Sequence, residues 1–351
     1  MQAGPDARRL AALRRRMLAD PAPGIAAQLG QAYFDLSLAR GDPRYVGYAE
    51  AVVARFSDPL PPELLLVRGQ LRQYRHDFGG ALDDFAATLK ADPKIAAAHA
   101  WRAAIFLVQA DYPAAGAECD VLRRLGRDSL AGGCSGLLLA YSGRMGDAES
   151  QLRAGLTASR DPGNRLWLLA RLGELAAWRG VPAQAERNYR EALALGQDDI
   201  YLLAAWGDFL LDQNRPSDVL RELAAWEASD NLLLRLAEAA ARLRRPEAGR
   251  LAGMLEDRFA AARLRGDTTH RAEEARFHLR IRGDARAALP LAVENYRVQR
   301  EPRDARILLE AAIAAGDAKA AQPVRDWLRN SGFEDARMRR LGEESALAGR
   351  R

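Results

Sequence analysis

A unit of about 34 residues recurs along most of this 351-residue chain, and a repeat that regular leaves few folds open. A unit of that length cannot bury its own apolar face. Successive copies must therefore stack into an elongated array with one shared core. Aligned on the residue that opens each second segment, the anchors are Ala81, Ala115, Ala148, Ala185, Val219, Gly249, Ala288 and Ala321. They lie 34, 33, 37, 34, 30, 39 and 33 residues apart. Within a copy the apolar residues recur at helical spacing, and nowhere is there the alternation of a strand. Each copy reads as helix, short turn, helix.

The clearest copy runs over 166–199. Leu169, Leu172 and Gly173 share one face of a first helix, Gly180 marks the turn, and Ala185, Tyr189 and Ala192 share one face of a second. Gly69, Gly136, Gly173 and Gly207 fall inside first helices, where each costs about 1 kcal/mol against Ala. A cost repeated at one register implies close helix packing at that point. Pro93, Pro162 and Pro302 fall between copies, where they end helices rather than kink them. These features resemble the tetratricopeptide repeat, most clearly in the copies at 62, 166 and 200. The resemblance implies an all-α, right-handed α-solenoid of about eight hairpins with an extra helix at each end. Copies are expected to start near 23, 62, 96, 129, 166, 200, 230, 269 and 302, filling 23–330. Residues 1–22 read as a basic N-terminal helix and 331–351 as a polar helix and tail covering the last apolar face.

Composition narrows the function. Net charge is +5, but acidic residues are interspersed throughout and 49 of the 52 basic residues are arginine. That usage reads as GC-rich coding rather than as a nucleic-acid footprint, which clusters its charge on one face. No apolar run is long enough to span a membrane, and two cysteines are too few for a disulfide scaffold. The first six residues lack the apolar core of a signal peptide, so the chain reads as cytoplasmic. Against this, RGDPRYVGYAEA (40–51) and, more loosely, GDTTHRAEEARF (266–277) are similar to a group of bacterial tetratricopeptide proteins that are usually exported. That resemblance implies the periplasm.

No nucleophile elbow, phosphate loop or dinucleotide fingerprint occurs, so no enzyme activity and no cofactor are expected. The densest polar set is His270, Glu274 and His278, spaced i, i+4, i+8. Such residues can ligate zinc or nickel, but helix capping and surface ion pairs account for them without a metal. Cys119 and Cys134 lie on adjoining helices of neighbouring copies. They can be bridged, or they can be two small buried thiols in a reducing compartment.

The repeat resemblance also implies a concave groove lined by the first helices. Carried over position by position, its lining is Leu66, Gln70, Tyr74, Tyr141, Trp167, Glu174, Trp178, Tyr201, Asp208 and Asp212. Aromatic and acidic side chains alternate there. The expectation is a non-enzymatic scaffold holding an extended segment of a partner protein, one with basic and apolar residues. The alternatives are a single-stranded nucleic-acid binder, disfavoured by the acidic lining, and a metal-handling site around His270.

Overall fold

The repeats become helical hairpins because each first helix carries an apolar face that only the next helix can cover. The computed structural model describes residues 5–348, with the side chains of 7–343. Residues 1–4 and 349–351, the ends of the two terminal segments, lie outside the described residues. Helix α1 (Pro5–Ala19) buries Leu10, Leu13 and Met17 against α2 (Pro23–Arg40). Eight hairpins follow. The first pairs α2 with α3 (Arg44–Val53), the second α4 (Pro62–Tyr74) with α5 (Phe78–Ala91), the third α6 (Ala96–Val108) with α7 (Tyr112–Arg124). The fourth pairs α8 (Asp128–Tyr141) with α9 (Met145–Ala158), the fifth α10 (Pro162–Trp178) with α11 (Pro182–Leu193), the sixth α12 (Ile200–Asp212) with the short α13 (Pro216–Glu222). The seventh joins α14 (Asp230–Arg242) to α15 (Ala248–Leu264). The eighth joins α16 (Arg271–Phe277), prolonged by a π-helical turn over His278–Arg282, to α17 (Ala285–Val298). The described residues contain no strand, and no helix among them is long and apolar enough to cross a membrane.

The glycine register has a direct cause. A Cβ added at Gly69 would stand 2.5 Å from the Phe85 ring, at Gly136 2.6 Å from Leu152, at Gly173 2.7 Å from Tyr189 and at Gly207 3.0 Å from Leu223. In each hairpin the large second-helix residue lies where the glycine side chain is missing. This is the packing register that the repeat resemblance implies, repeated in four hairpins.

Three expectations need correction. The fifth hairpin starts at 162, not 166, because Asp161 caps it by accepting from the Asn164 amide at 2.8 Å and Pro162 follows at the first helical position. Gly249 is exposed with open space around it, and Leu251 and Ala252 take the buried anchor position. The longer turn through Arg245-Pro246 shifts the anchor there. Ala321 is buried, but the helix it precedes does not fold back as a second helix. After α18 (Pro302–Ala315), helix α19 (Gln322–Ser331) barely touches it, and α20 (Ala336–Ala348) packs on α18 instead. The C-terminal end thus has the expected three helices, but α18 takes α20 rather than α19 as its packing partner.

The solenoid also closes on itself. Gly41, in the first turn, abuts Ile200 and Ser229. Arg40 pairs with Asp198 at 2.8 Å, Arg75 lies 3.8 Å from Asp267, and the Arg300 amide donates to the Val108 carbonyl at 2.7 Å. Hairpins one to three therefore meet hairpins six to eight across the concave side.

Candidate functional site

The first helices of hairpins four to six end in Tyr141, Trp178 and Asp212, one residue per hairpin at the same position. Stacked repeats line these ends up as a rim. Along it, starting at Tyr112 in the third hairpin, lies the chain's own segment 327–337. The Trp327 indole donates to the Tyr112 hydroxyl at 2.7 Å. The carbonyls of Ser331 and Gly332 press on Gly143, the turn residue of the fourth hairpin, held at φ +75°. Phe333, 4% exposed, stands edge-on to Trp178 with ring centroids 5.2 Å apart. It is edge-on to Tyr141 at 6.4 Å and lies 5.0 Å from Trp327. Arg337 reaches Asp212. The segment follows the rim from the third hairpin to the sixth.

Behind the rim the acidic residues are held by arginines from α14, α16 with its π-helical turn, and α18, the first helices that follow α12. Asp208 accepts from Arg235 at 2.6 and 3.0 Å and from Arg276 at 2.6 Å. Burial would raise its carboxyl, but these two guanidiniums outweigh it and hold the group well below the usual carboxylate range. Asp212 accepts from Arg306 at 2.7 and 2.8 Å as well as from Arg337, and the same balance lowers it. Glu238, buried on α14, is brought down to about 2: burial opposes ionisation, but Arg276, Arg280 and Arg242 prevail. The π-helical turn after Phe277 carries Arg280 to Glu310 on α18, 2.5 Å away. Between these groups lies a cavity of about 490 Å³ lined by Asp212, Glu238, Arg242, Arg280, Arg306 and Arg337 among others.

A second cluster lies deeper on the same face. The Arg171 guanidinium lies 4.1 Å from the centroid of the Tyr201 ring and also contacts the Tyr201 hydroxyl. That hydroxyl donates to Glu174 at 2.5 Å, and Arg171 donates to Glu174 at 2.9 Å. The Tyr141 hydroxyl donates to Glu301 on the loop before α18, 3.3 Å away.

The expected groove lining thus separates into groups. Tyr141, Trp178 and Asp212 meet the C-terminal segment, Glu174 and Tyr201 bind Arg171, and Asp208 binds Arg235 and Arg276. The Trp167 ring fills the notch above Gly133 on α8, between repeats. Leu66 is partly buried against the core cluster that contains Phe78 and Phe85. Gln70 is buried, and burial raises the Tyr74 hydroxyl to about 12. Of the polar set at 270–278, His270 precedes α16 and lies 3.9 Å from Asp267, while Glu274 is ion-paired with Arg263 and 3.9 Å from His278. Among the described residues no three His, Cys, Asp or Glu side chains gather as a metal site. Cys119 and Cys134 are joined as a disulfide across α7 and α8, with Cα atoms 5.5 Å apart.

The partners that sequence reasoning missed include Arg171, Arg235, Arg276, Glu301, Arg306, Trp327, Phe333 and Arg337. One clue to them was present. The aromatic and acidic lining called for a ligand with apolar and basic residues, and Phe333 with Arg337 offers that pair within the chain.

No protein-family model and no curated protein matches the sequence. Solved structures similar to it include the APC/C hetero-tetramer Cut9–Hcn1, at 15% identity and a TM-score of 0.46 over 87% of this chain. This chain spans about half of that one, 52%. The human IFIT1 dimer with m7Gppp-AAAA is similar at 13% identity and a TM-score of 0.43, over 98% of this chain and 86% of that one. Yeast Tom70 is similar at 10% identity and 0.34, over 97% and 91%. The repeat assignment stands on the glycine register, not on these likenesses.

Proposed function

We propose that the chain is a non-enzymatic helical-repeat adaptor that holds an extended segment of a partner protein along the first-helix face. One observation carries this reading: Tyr141, Trp178 and Asp212, aligned on three successive hairpins, receive a non-helical stretch of polypeptide, residues 332–335, through Phe333 within it and Arg337 just beyond it. Aromatic pockets of this kind supply binding energy, and the carboxylates set selectivity and association rate. A nucleic-acid ligand would meet Asp212 and Glu174 as like charges, and the arginines behind them are already paired with carboxylates.

The test is to capture partners from the source cell with the wild-type chain, Trp178→Ala and Asp212→Lys, each checked for helix content. A partner held by wild type and lost at least tenfold by both variants supports the face as the site. Equal recovery by all three moves the binding site elsewhere on the solenoid.

A further inference from the structure

What this face selects is written in the segment already lying on it. Trp327 is held at the third hairpin, Phe333 between the fourth and fifth, and Arg337 at the sixth. Phe333 is nearly fully enclosed, yet the helix leading to it barely touches α18, its neighbour in sequence. The rim side chains, with α18 packed on α20, hold the segment in place. The Arg337 side chain remains 36% exposed and Asp212 25% exposed, so the outer end of the contact is open to exchange with solvent.

We infer that the rim is a docking surface for a partner segment carrying an aromatic residue followed four positions later by arginine, and that residues 327–337 occupy it as a resident competitor. This rests on the reading of the chain as a segment-binding adaptor and names the partner's chemistry. The aromatic fills the gap between Tyr141 and Trp178, and the arginine shares Asp212 with Arg306. An acidic residue at the fourth position would face Asp212 as a like charge. A tethered segment acts at an effective concentration on the order of millimolar. A free segment of equal intrinsic affinity therefore binds only weakly until the resident is loosened.

The test uses the full chain and a synthetic peptide of residues 325–341, RDWLRNSGFEDARMRRL. Binding is measured by fluorescence anisotropy to wild type, to Phe333→Ala with Arg337→Ala, and to Arg337→Glu alone. The single variant guards against loss of fold, since its side chain is partly exposed. The expected result is at least tenfold tighter binding to both variants than to wild type, lost again when Trp178→Ala is added. A control peptide with alanine at both key positions should bind at least tenfold more weakly. If folded variants take both peptides equally, the face binds segments but the aromatic–arginine pattern is wrong. If folded variants take neither, the rim is no docking surface, and the adaptor reading loses its site as well. If the variants form dimers whose dissociation restores peptide binding, the occupant is a second copy's segment and the proposed partner is overturned.

Discussion

Phe333 closes against Trp178 at 5.2 Å between ring centroids, an aromatic contact between the C-terminal segment and the end of the fifth hairpin's first helix. Local sequence signals describe neither partner's destination. The contact is worth about 0.5–1.5 kcal/mol beyond area burial. Phe333→Ala, removing a buried ring, should cost about 3–5 kcal/mol where the site cannot collapse. Hydrogen exchange should show the loss as faster exchange over 322–341 while α2–α15 keep their protection. Uniform acceleration over the whole chain would mean the segment is inseparable from the core.

Gly143 and Gly180 give a matched pair. Both occupy the turn of a hairpin with φ near +75° and +72°, but only Gly143 has the carbonyls of the C-terminal segment above it. Gly180→Ala should incur only the left-handed backbone penalty, about 1–2 kcal/mol. Gly143→Ala should cost more and should also expose 322–341 to proteolysis. Equal effects in thermal melts and equal cleavage would remove the segment from that turn.

Inside the helices the contrast is packing against open space. Gly173→Ala places a Cβ 2.7 Å from the Tyr189 ring and should destabilise by about 1–3 kcal/mol. Gly253, on α15, has nothing within 4 Å, so Gly253→Ala should stabilise by about 0.5–1 kcal/mol. Denaturant midpoints of opposite sign are the expected outcome.

That second pair marks how far the sequence could be read. Helix type, eight hairpins and the glycine register follow from local periodicity, because hairpin packing is a nearest-neighbour property. Gly249 misled as an anchor because smallness alone does not distinguish a packed glycine from an exposed one. The groove residues were legible as a set of side chains but not in their pairing. Asp212 meets Arg306 and Arg337, which lie far along the chain, and Trp167 turns into a notch that Gly133 opens. The Asp212 pairings reach across several repeats and the Trp167 contact crosses from one repeat to the one before it, and no single repeat encodes either.

Among the groups that shape the acid limb of stability are the partly exposed His76 and the buried Glu238. Burial brings the His76 imidazole down to about 4, so its neutral form is favoured in the fold. Stability should therefore fall as pH drops from about 6.5 towards 4. Glu238, held at about 2 with its ordinary value near 4.5, stabilises fully above pH 4.5 and is lost as pH falls towards 2. His76→Asn, which tolerates the +61° φ, should flatten the first window, and Glu238→Gln the second. Melting temperatures across pH 7 to 2 separate the two. Unchanged slopes in both variants would assign acid sensitivity to other groups.

Asp212 and Arg337 allow the C-terminal contact to be measured rather than merely broken. Arg337→Asp should loosen the segment, placing a second carboxylate beside Asp212. Asp212→Arg should loosen it too, and by more, because Arg306 also loses its bidentate partner at 2.7 and 2.8 Å. Arg306 keeps Glu310, 2.8 Å away, so the reversal does not strand it. Combining both reversals restores opposite charges across the contact while leaving Arg306 beside a like charge. The double variant should therefore recover part of what the singles lose. A coupling of about 0.5–1 kcal/mol suits a partly exposed pair. The readout is protection of 322–341 in hydrogen exchange, at low and high salt, since screening should shrink the coupling. Additive losses at both salt concentrations would show that Arg337 is held by the packing of α20 on α18 and that Asp212 contributes nothing to its placement.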